Sequence, residues 1–445
     1  MKTLIHSIII GLVVQCLSIG EVLGQQKDTT WSLQKCIQYA LEQNLQVQKS
    51  SLNNEINKVN ADQVKESRFP SLTGSANQNF KWAKAGYPDG TYGSYSKTSN
   101  TTFGLSSNVT LYNGGRINNA IKQSEVNYKA GQFDVETMKE NISLNVMSAY
   151  LQILYAEEQL KNNQKQVEST ADQLRLADER VKLGAISNAD YLQVKAQLAT
   201  EKQALASAES ILAIDKVTLM QLLELPLNTK FSIVHPDFNN SVNQNRNPSA
   251  DSIFNIALGI KPQIKSAALN KESSQLGVDI AKASLLPTLS MNGGVNTGYV
   301  DPTSLAFDYQ IKNKITPSVG LSLSIPIYQN KQARSKVKIA EIGTQTATLS
   351  ETDTKNQLRK SIEQACVDVT SAEKKFEASM EGYNASLESY QVSTEKFNIG
   401  MINSTDFLIQ KTNLITAESN LLQAKYNLIY YYKTLDFYSG KALSF

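Results

Sequence analysis

Two stretches of the chain alternate strictly between apolar and small polar residues. Phe103, Leu105, Val109 and Leu111 alternate with Gly104, Ser106, Asn108 and Thr110. Val319, Leu321, Leu323, Ile325 and Ile327 alternate with Ser318, Gly320, Ser322, Ser324 and Pro326. A period of two gives a strand one greasy and one polar face. Strand-like sequence after Pro70 and Pro287 predicts two more strands, so the four fall near 71–83, 100–112, 288–299 and 315–328, with polar loops near 87–97 and 302–314.

Helical spacing surrounds these strands. Asn44, Leu45, Val47, Leu52, Ile56 and Val59 predict a helix that stops before Phe69 and Pro70, because the residue preceding a proline is pushed out of the helical region. A second such helix stops before Pro287. Residues 116–183 hold one glycine, Gly131, in 68 positions, and a helix of that length reaches about 100 Å. Gly184 ends it, and a return helix runs toward Pro226. In the return helix Tyr191, Leu198, Leu205, Leu212 and Leu219 recur every seven residues, as do Phe407, Leu414, Leu421, Leu428 and Leu435 further on. Sustained heptads specify left-handed coiled-coil packing.

The chain is a repeat. Ala40, Leu41, Leu52, Asn53, Pro70 and Leu72 return 217 positions later as Ala257, Leu258, Leu269, Asn270, Pro287 and Leu289. Beyond the strands the shift is 216: Tyr112 matches Tyr328, Ala156-Glu157 matches Ala372-Glu373, and residues 180–193 match 396–409. Two copies of one helix, strand, strand, long helix, return helix unit are expected. The reading divides the chain into a leader at 1–24, a first repeat at 25–248 and a second at 249–445, forming one intertwined functional unit.

Composition narrows the function. The net charge is +3, from 44 Lys and Arg against 41 Asp and Glu, which gives no basic excess for nucleic acid. Only His6 and His235 occur, so a histidine-rich metal site is excluded and no catalytic cluster or cofactor motif stands out; the chain reads as no enzyme. Lys2, the apolar run from Leu4 to Leu17 and the end at Gly24 read as a cleaved secretory leader. Gln15 precedes Cys16 where lipid attachment needs a small residue, so lipidation is not expected. Cys36 and Cys366 read as buried free thiols.

Past the leader, no segment offers about 20 consecutive apolar residues, so any crossing of a membrane falls to the strands. Four strands cannot close a barrel in lipid, because open edges leave unpaired backbone groups and known single-chain barrels start at eight strands. Three chains would supply 12 strands, greasy faces to lipid and Ser, Gly, Asn and Thr faces to water, with Val319, Leu321, Leu323 and Ile325 facing outward. The fold class expected is an α+β membrane protein, a trimeric 12-stranded β-barrel continued by a long helical coiled-coil barrel.

The order and duplicated spacing of these features resemble the TolC-like outer membrane efflux protein family. The resemblance rests on the twofold repeat, the leader, the Trp31-Ser32-Leu33 opening with Cys36-Ile37 and Tyr39-Ala40-Leu41, the Pro-x-Leu strand starts, the run from Tyr112 to Arg116, and two Gly-(x)5-Asp-x-Leu tips. The second copy departs from it at Asn330-Lys331-Gln332, where a Gly-Gly-Arg-like turn is expected. The resemblance implies a homotrimer in the outer membrane, a helical tunnel across the periplasm, and docking to an inner-membrane pump through a periplasmic adaptor. It makes the helix tips the docking surface: Leu183, Gly184, Ala185, Ile186 and Ser187 in the first copy, Ile399, Gly400, Met401, Ile402 and Asn403 in the second. Asp190 and Asp406, six residues past their glycines, would form a ring of carboxylates at a periplasmic gate. Each also suits the positive end of its return helix, with Ser187, Asn188, Ser404 or Thr405 as caps. The position three residues on, a second carboxylate in gated members, is Gln193 or Ile409 here. Two other readings compete: a periplasmic coiled-coil adaptor, which needs one hairpin rather than two, and an exported structural coiled coil, which needs no lipid-facing alternation.

Overall fold

The computed structural model describes residues 30–226, 229, 231–238 and 249–445. The expected leader, with His6 and Cys16, lies outside the described residues. The elements are β1 (Thr30–Trp31), α1 (Leu33–Gln43), α2 (Leu45–Glu66), β2 (Ser71–Gly86), β3 (Tyr92–Tyr112), α3 (Arg116–Lys182), α4 (Asn188–Leu222), β4 (Ser232–Ile233), α5 (Ala250–Ile260), α6 (Pro262–Ala283), β5 (Thr288–Asp301), α7 (Phe307–Asn313), β6 (Thr316–Ser324), α8 (Gln332–Asn398) and α9 (Ser404–Tyr438). The helices repeat to the residue: α1 and α2 return as α5 and α6 after 217 positions, α3 and α4 as α8 and α9 after 216.

One helix is expected before the first strand of the repeat, its pattern beginning at Asn44; the structure has two, Leu33–Gln43 and Leu45–Glu66. Asn44 leaves the helix with ψ 128°, its Oδ1 accepts from the Gln46 N–H at 2.9 Å, and its Nδ2 donates to the Leu222 carbonyl at 3.0 Å. Its counterpart Lys261 has ψ 125°, and there Pro262 opens the next helix. A side-chain cap in one repeat and a proline in the other produce the same break.

Two compact units divide the chain, and each draws on both repeats. One comprises the described residues up to Gln48 with Lys139–Ala257 and Ser361–Phe445; the other comprises Lys49–Met138 and Leu258–Lys360. In the first, Ile142, Val146, Met147, Tyr150, Ile153 and Leu154 of α3 form a buried row. Burial pushes the Cys36 thiol up to about 12, and Cys36 and Cys366 are buried and free. Leu198, Leu219, Phe407, Leu428 and Leu435 are buried, and the other heptad positions are half-buried. Tyr150 reaches the carbonyls of Trp31 at 3.0 Å and Val234 at 2.7 Å, clasping the parallel pair of β1 and β4.

The second unit holds one antiparallel sheet in the order β2-β3-β5-β6, whose outer strands are β2 and β6. Gly74, Ala76 and Leu72 of β2 lie opposite Leu105, Phe103 and Ser107; Leu105 lies opposite Val295, and Met291 opposite Leu321. Directly opposed residues share a face, so the greasy sides of all four strands coincide. β3 starts at Tyr92, earlier than the alternation indicated, and only residues 87–91 turn. Gly90 has φ 82°, and Asp89 accepts from the Thr91 N–H at 3.0 Å. β6 ends at Ser324, so Ile325 and Ile327 are not on a strand. Pro326 has no N–H for the ladder and restricts the residue before it. Pro317 stays within β6 because an edge strand tolerates it. The expected loop 302–314 contains α7, tied down by Gln310, whose amide donates to Leu305 at 2.9 Å and Thr303 at 2.7 Å while its oxygen accepts from Val300 at 3.1 Å.

The helices of this unit pack through small polar residues. Ser273 donates to Asn127 Oδ1 and Ser266 to Asp134 Oδ1, each at 2.6 Å, and Glu351 receives Lys271 and Lys355, each at 2.6 Å. A Cβ on Gly131 would lie 2.3 Å from Asn54 Oδ1 and 2.8 Å from Asn57 Nδ2, so a side chain there would make these two α2 amides shift. Leu52, Ile56 and Val59 on α2 and Ile342 and Leu349 on α8 remain exposed.

Candidate functional site at the helix-turn-helix ends

Each long helix ends in the same way. Gly184 has φ 70° and Gly400 φ 77°, a left-handed conformation that costs other residues a Cβ clash. The Ala185 N–H donates to the Arg180 carbonyl at 2.8 Å and Gly184 to Val181 at 2.9 Å; Met401 to Lys396 and Gly400 to Phe397 repeat the pair at 2.8 and 3.1 Å. These double bonds satisfy the last carbonyls of the helix. A Cβ at either glycine would meet nothing within 4 Å, so the backbone alone selects glycine there.

The return helices start on caps. Ser187 Oγ accepts from the Asp190 N–H at 3.1 Å, and Asp190 Oδ2 accepts from the Ser187 N–H at 3.2 Å. In the second copy the cap is Asn403, whose Oδ1 accepts from the Asp406 N–H at 2.8 Å. The expected caps, Ser404 and Thr405, do not fill that role; Asn403, expected only as a tip residue, does. Ser404 instead donates to Asp190 Oδ1 at 2.5 Å, and Thr405 donates to Gln193 Oε1 at 3.1 Å. The two return helices therefore meet at their N-termini. The bonds from Ser187 and then Ser404 hold the Asp190 carboxyl below the usual carboxylate range, whereas Asp406 is exposed.

Around this contact the tips present apolar side chains to solvent: Leu183 is 83% exposed, Ile399 72% and Met401 70%. Ala185 is exposed, and Ile186 and Ile402 are half-buried. Phe397 stacks on Phe407 at 4.7 Å, fixing the second turn from within. A hollow of about 290 Å³ lined by Gln193, Thr405, Leu408, Ile409, Thr412 and Asn413 lies beside the contact.

A buried ion pair lies further along these helices, unanticipated from the sequence. Lys411 of α9 reaches Glu201 of α4 at 3.2 Å, and both are buried. Thr170 of α3 bonds to both groups, and Gln197 donates to Glu201 at 2.9 Å. Burial pushes the Lys411 ammonium below the usual lysine range, and Glu201 opposes that shift. The repeat equivalents of Glu201 and Thr170 are Ala417 and Ser386, so the network exists once. No internal pattern signals a partner that a repeat lacks.

The other expected positions are in the sheet. Val319, Leu321 and Leu323 lie on the greasy face of β6 and are exposed; Ile325 lies beyond its end. Among the described residues there is no group of His, Cys, Asp and Glu suited to a metal, and no helix is long and apolar enough to cross a membrane.

A family model described as "Outer membrane efflux protein" matches residues 36–224 and 253–441, one match per repeat. Nodulation protein T of Rhizobium leguminosarum bv. trifolii is 23% identical over 334 residues, 74% of this chain and 67% of that protein. Outer membrane efflux protein BepC of Brucella suis biovar 1 is 22% identical over 363 residues, covering 82% and 75%. Among solved structures, the CmeC outer membrane channel of Campylobacter jejuni superposes with a TM-score of 0.79 at 20% identity, covering 93% of this chain and 87% of that one.

Proposed function

The chain belongs to the outer membrane efflux protein family, and on that premise we propose that it is the outer membrane duct of a tripartite export system, passing cargo from an inner-membrane pump without chemistry of its own. The observation that carries the reading is the sheet: one greasy face, one small polar face, and two edge strands without strand partners among the described residues. In lipid such edges require neighbours. β2 and β6 run in opposite directions, so the β2 edge of one copy suits the β6 edge of the next, and three copies close 12 strands. The exposed stripes on α2 and α8 would be covered by the same neighbours.

In this reading the tips dock a periplasmic adaptor through Leu183, Ala185, Ile399 and Met401, and Asp406 lines the periplasmic mouth. The test is export from cells carrying Ala185→Trp together with Met401→Trp. Trimers should survive and export should stop, with loss of crosslinks from the tips to an adaptor. Full export by that variant would place docking elsewhere.

A further inference from the structure

We propose that the outward face of the β2–β3 hairpin binds the phosphate groups of an anionic glycolipid in the outer leaflet, with Lys84 and Lys97 as the charges. The proposal rests on the membrane reading above and adds a lipid to it. Register defines the face. Along it, Gly74 and Ala76 lie opposite Leu105 and Phe103, Gln78 lies opposite Thr101, and then Phe80, Trp82 and Lys84 lie opposite Ser99, Lys97 and Tyr95. The apolar band thus passes into aromatic and then cationic residues toward the turn, the sequence of groups that suits a membrane interface.

The cations are held ready. Lys97 Nζ sits 4.8 Å from the Phe80 ring centroid, and Lys84 Nζ 5.0 Å from that of Tyr95; Phe80 and Trp82 lie 6.2 Å apart. A ring face orients an ammonium without consuming its N–H donors. Neither lysine has an ion-pair partner among the described residues. Of the carboxylates nearby in register, Asp301 pairs across from Ser99 and receives the Tyr299 hydroxyl at 3.4 Å, while Asp89 in the turn receives Thr91. The turn lies at the strand ends opposite to Tyr112, where the chain leaves for α3. If α3 leads into the periplasm, the lysines stand at the outer leaflet, and a phosphorylated glycolipid there supplies the anion. Lys81, opposite Thr98 on the other face, is the internal control.

The test uses full-length protein extracted from the outer membrane and placed in nanodiscs with bisphosphorylated lipid A or its dephosphorylated form, bound lipid being counted by native mass spectrometry. The parent should prefer the phosphorylated lipid, and Lys84→Gln with Lys97→Gln should lose roughly twenty-fivefold in affinity, about fivefold per lysine near an anionic surface. Lys81→Gln should match the parent. A double variant that binds like the parent, or a Lys81→Gln variant that loses as much, would overturn the proposal while leaving the duct intact. A parent absent from the outer membrane fraction would overturn both.

Discussion

The Ser404 hydroxyl donates to Asp190 Oδ1 at 2.5 Å, so the first residue of one return helix holds the acidic residue that caps the other. The two acids are thereby unequal. Asp190 is engaged by Ser187 and Ser404, and Asp406 is exposed. Asp406→Asn should reduce the cation preference of reconstituted channels, read as a reversal potential under a salt gradient. Asp190→Asn should instead loosen the tip, read as faster proteolysis at 183–188, and Ser187→Ala should weaken the start of α4 by about 1 kcal/mol.

The pH dependence of that contact has a definite sign. A carboxyl held below its unfolded value contributes stability that is present above the unfolded value, near 4, and is lost as pH falls through the lower folded value. Proteolysis at the first tip should therefore be unchanged from pH 7 to pH 5 and rise only below about pH 4.

The ion pair between Lys411 and Glu201 gives a mutational cycle. Removing one partner leaves a buried charge, so Lys411→Met or Glu201→Leu alone should cost about 3 to 5 kcal/mol. The double variant should recover most of that loss, because two apolar side chains replace a pair whose desolvation is costly. Thermal unfolding of the detergent-extracted protein reads the three variants against the parent.

Facing to lipid is tested on β6. Leu321→Arg and Leu323→Arg should each impair membrane assembly, at about 2 to 4 kcal/mol for a midplane arginine. Ile325→Arg, beyond the strand end, should assemble more fully. Equal assembly of all three in outer membrane fractions would count against the face assignment.

The halves of this chain were legible because the repeat ties each local signal to a second instance: Gly184 to Gly400, Pro70 to Pro287, Asp190 to Asp406. Features set by one copy's own side-chain bonds or by tertiary contacts were missed. The start of β3 was hidden because Tyr92, Tyr95, Lys97 and Thr98 show no apolar alternation, and the strand is selected there by its ladder with β2. The break at Asn44 was hidden because asparagine leaves the helical pattern only through its own side-chain bonds, whereas Lys261-Pro262 at the same place announces it. α7 depends on Gln310, whose burial is tertiary. Pro326 lay within the strand expected at 315–328, though its missing N–H was readable beforehand.

Closure of the sheet across copies is the central claim, and disulfide trapping between the two edges tests it most directly. Cysteines at Ser75 on β2 and Ser322 on β6 lie on the same polar face, and neighbouring same-face positions provide a register scan. Cys36 and Cys366 are buried with thiols raised by burial, so they remain silent under mild oxidation. In outer membrane fractions, at least one pair should give a ladder of one, two and three linked chains that ends at three. A ladder running past three, or no intermolecular bond at any register, would contradict the trimeric barrel.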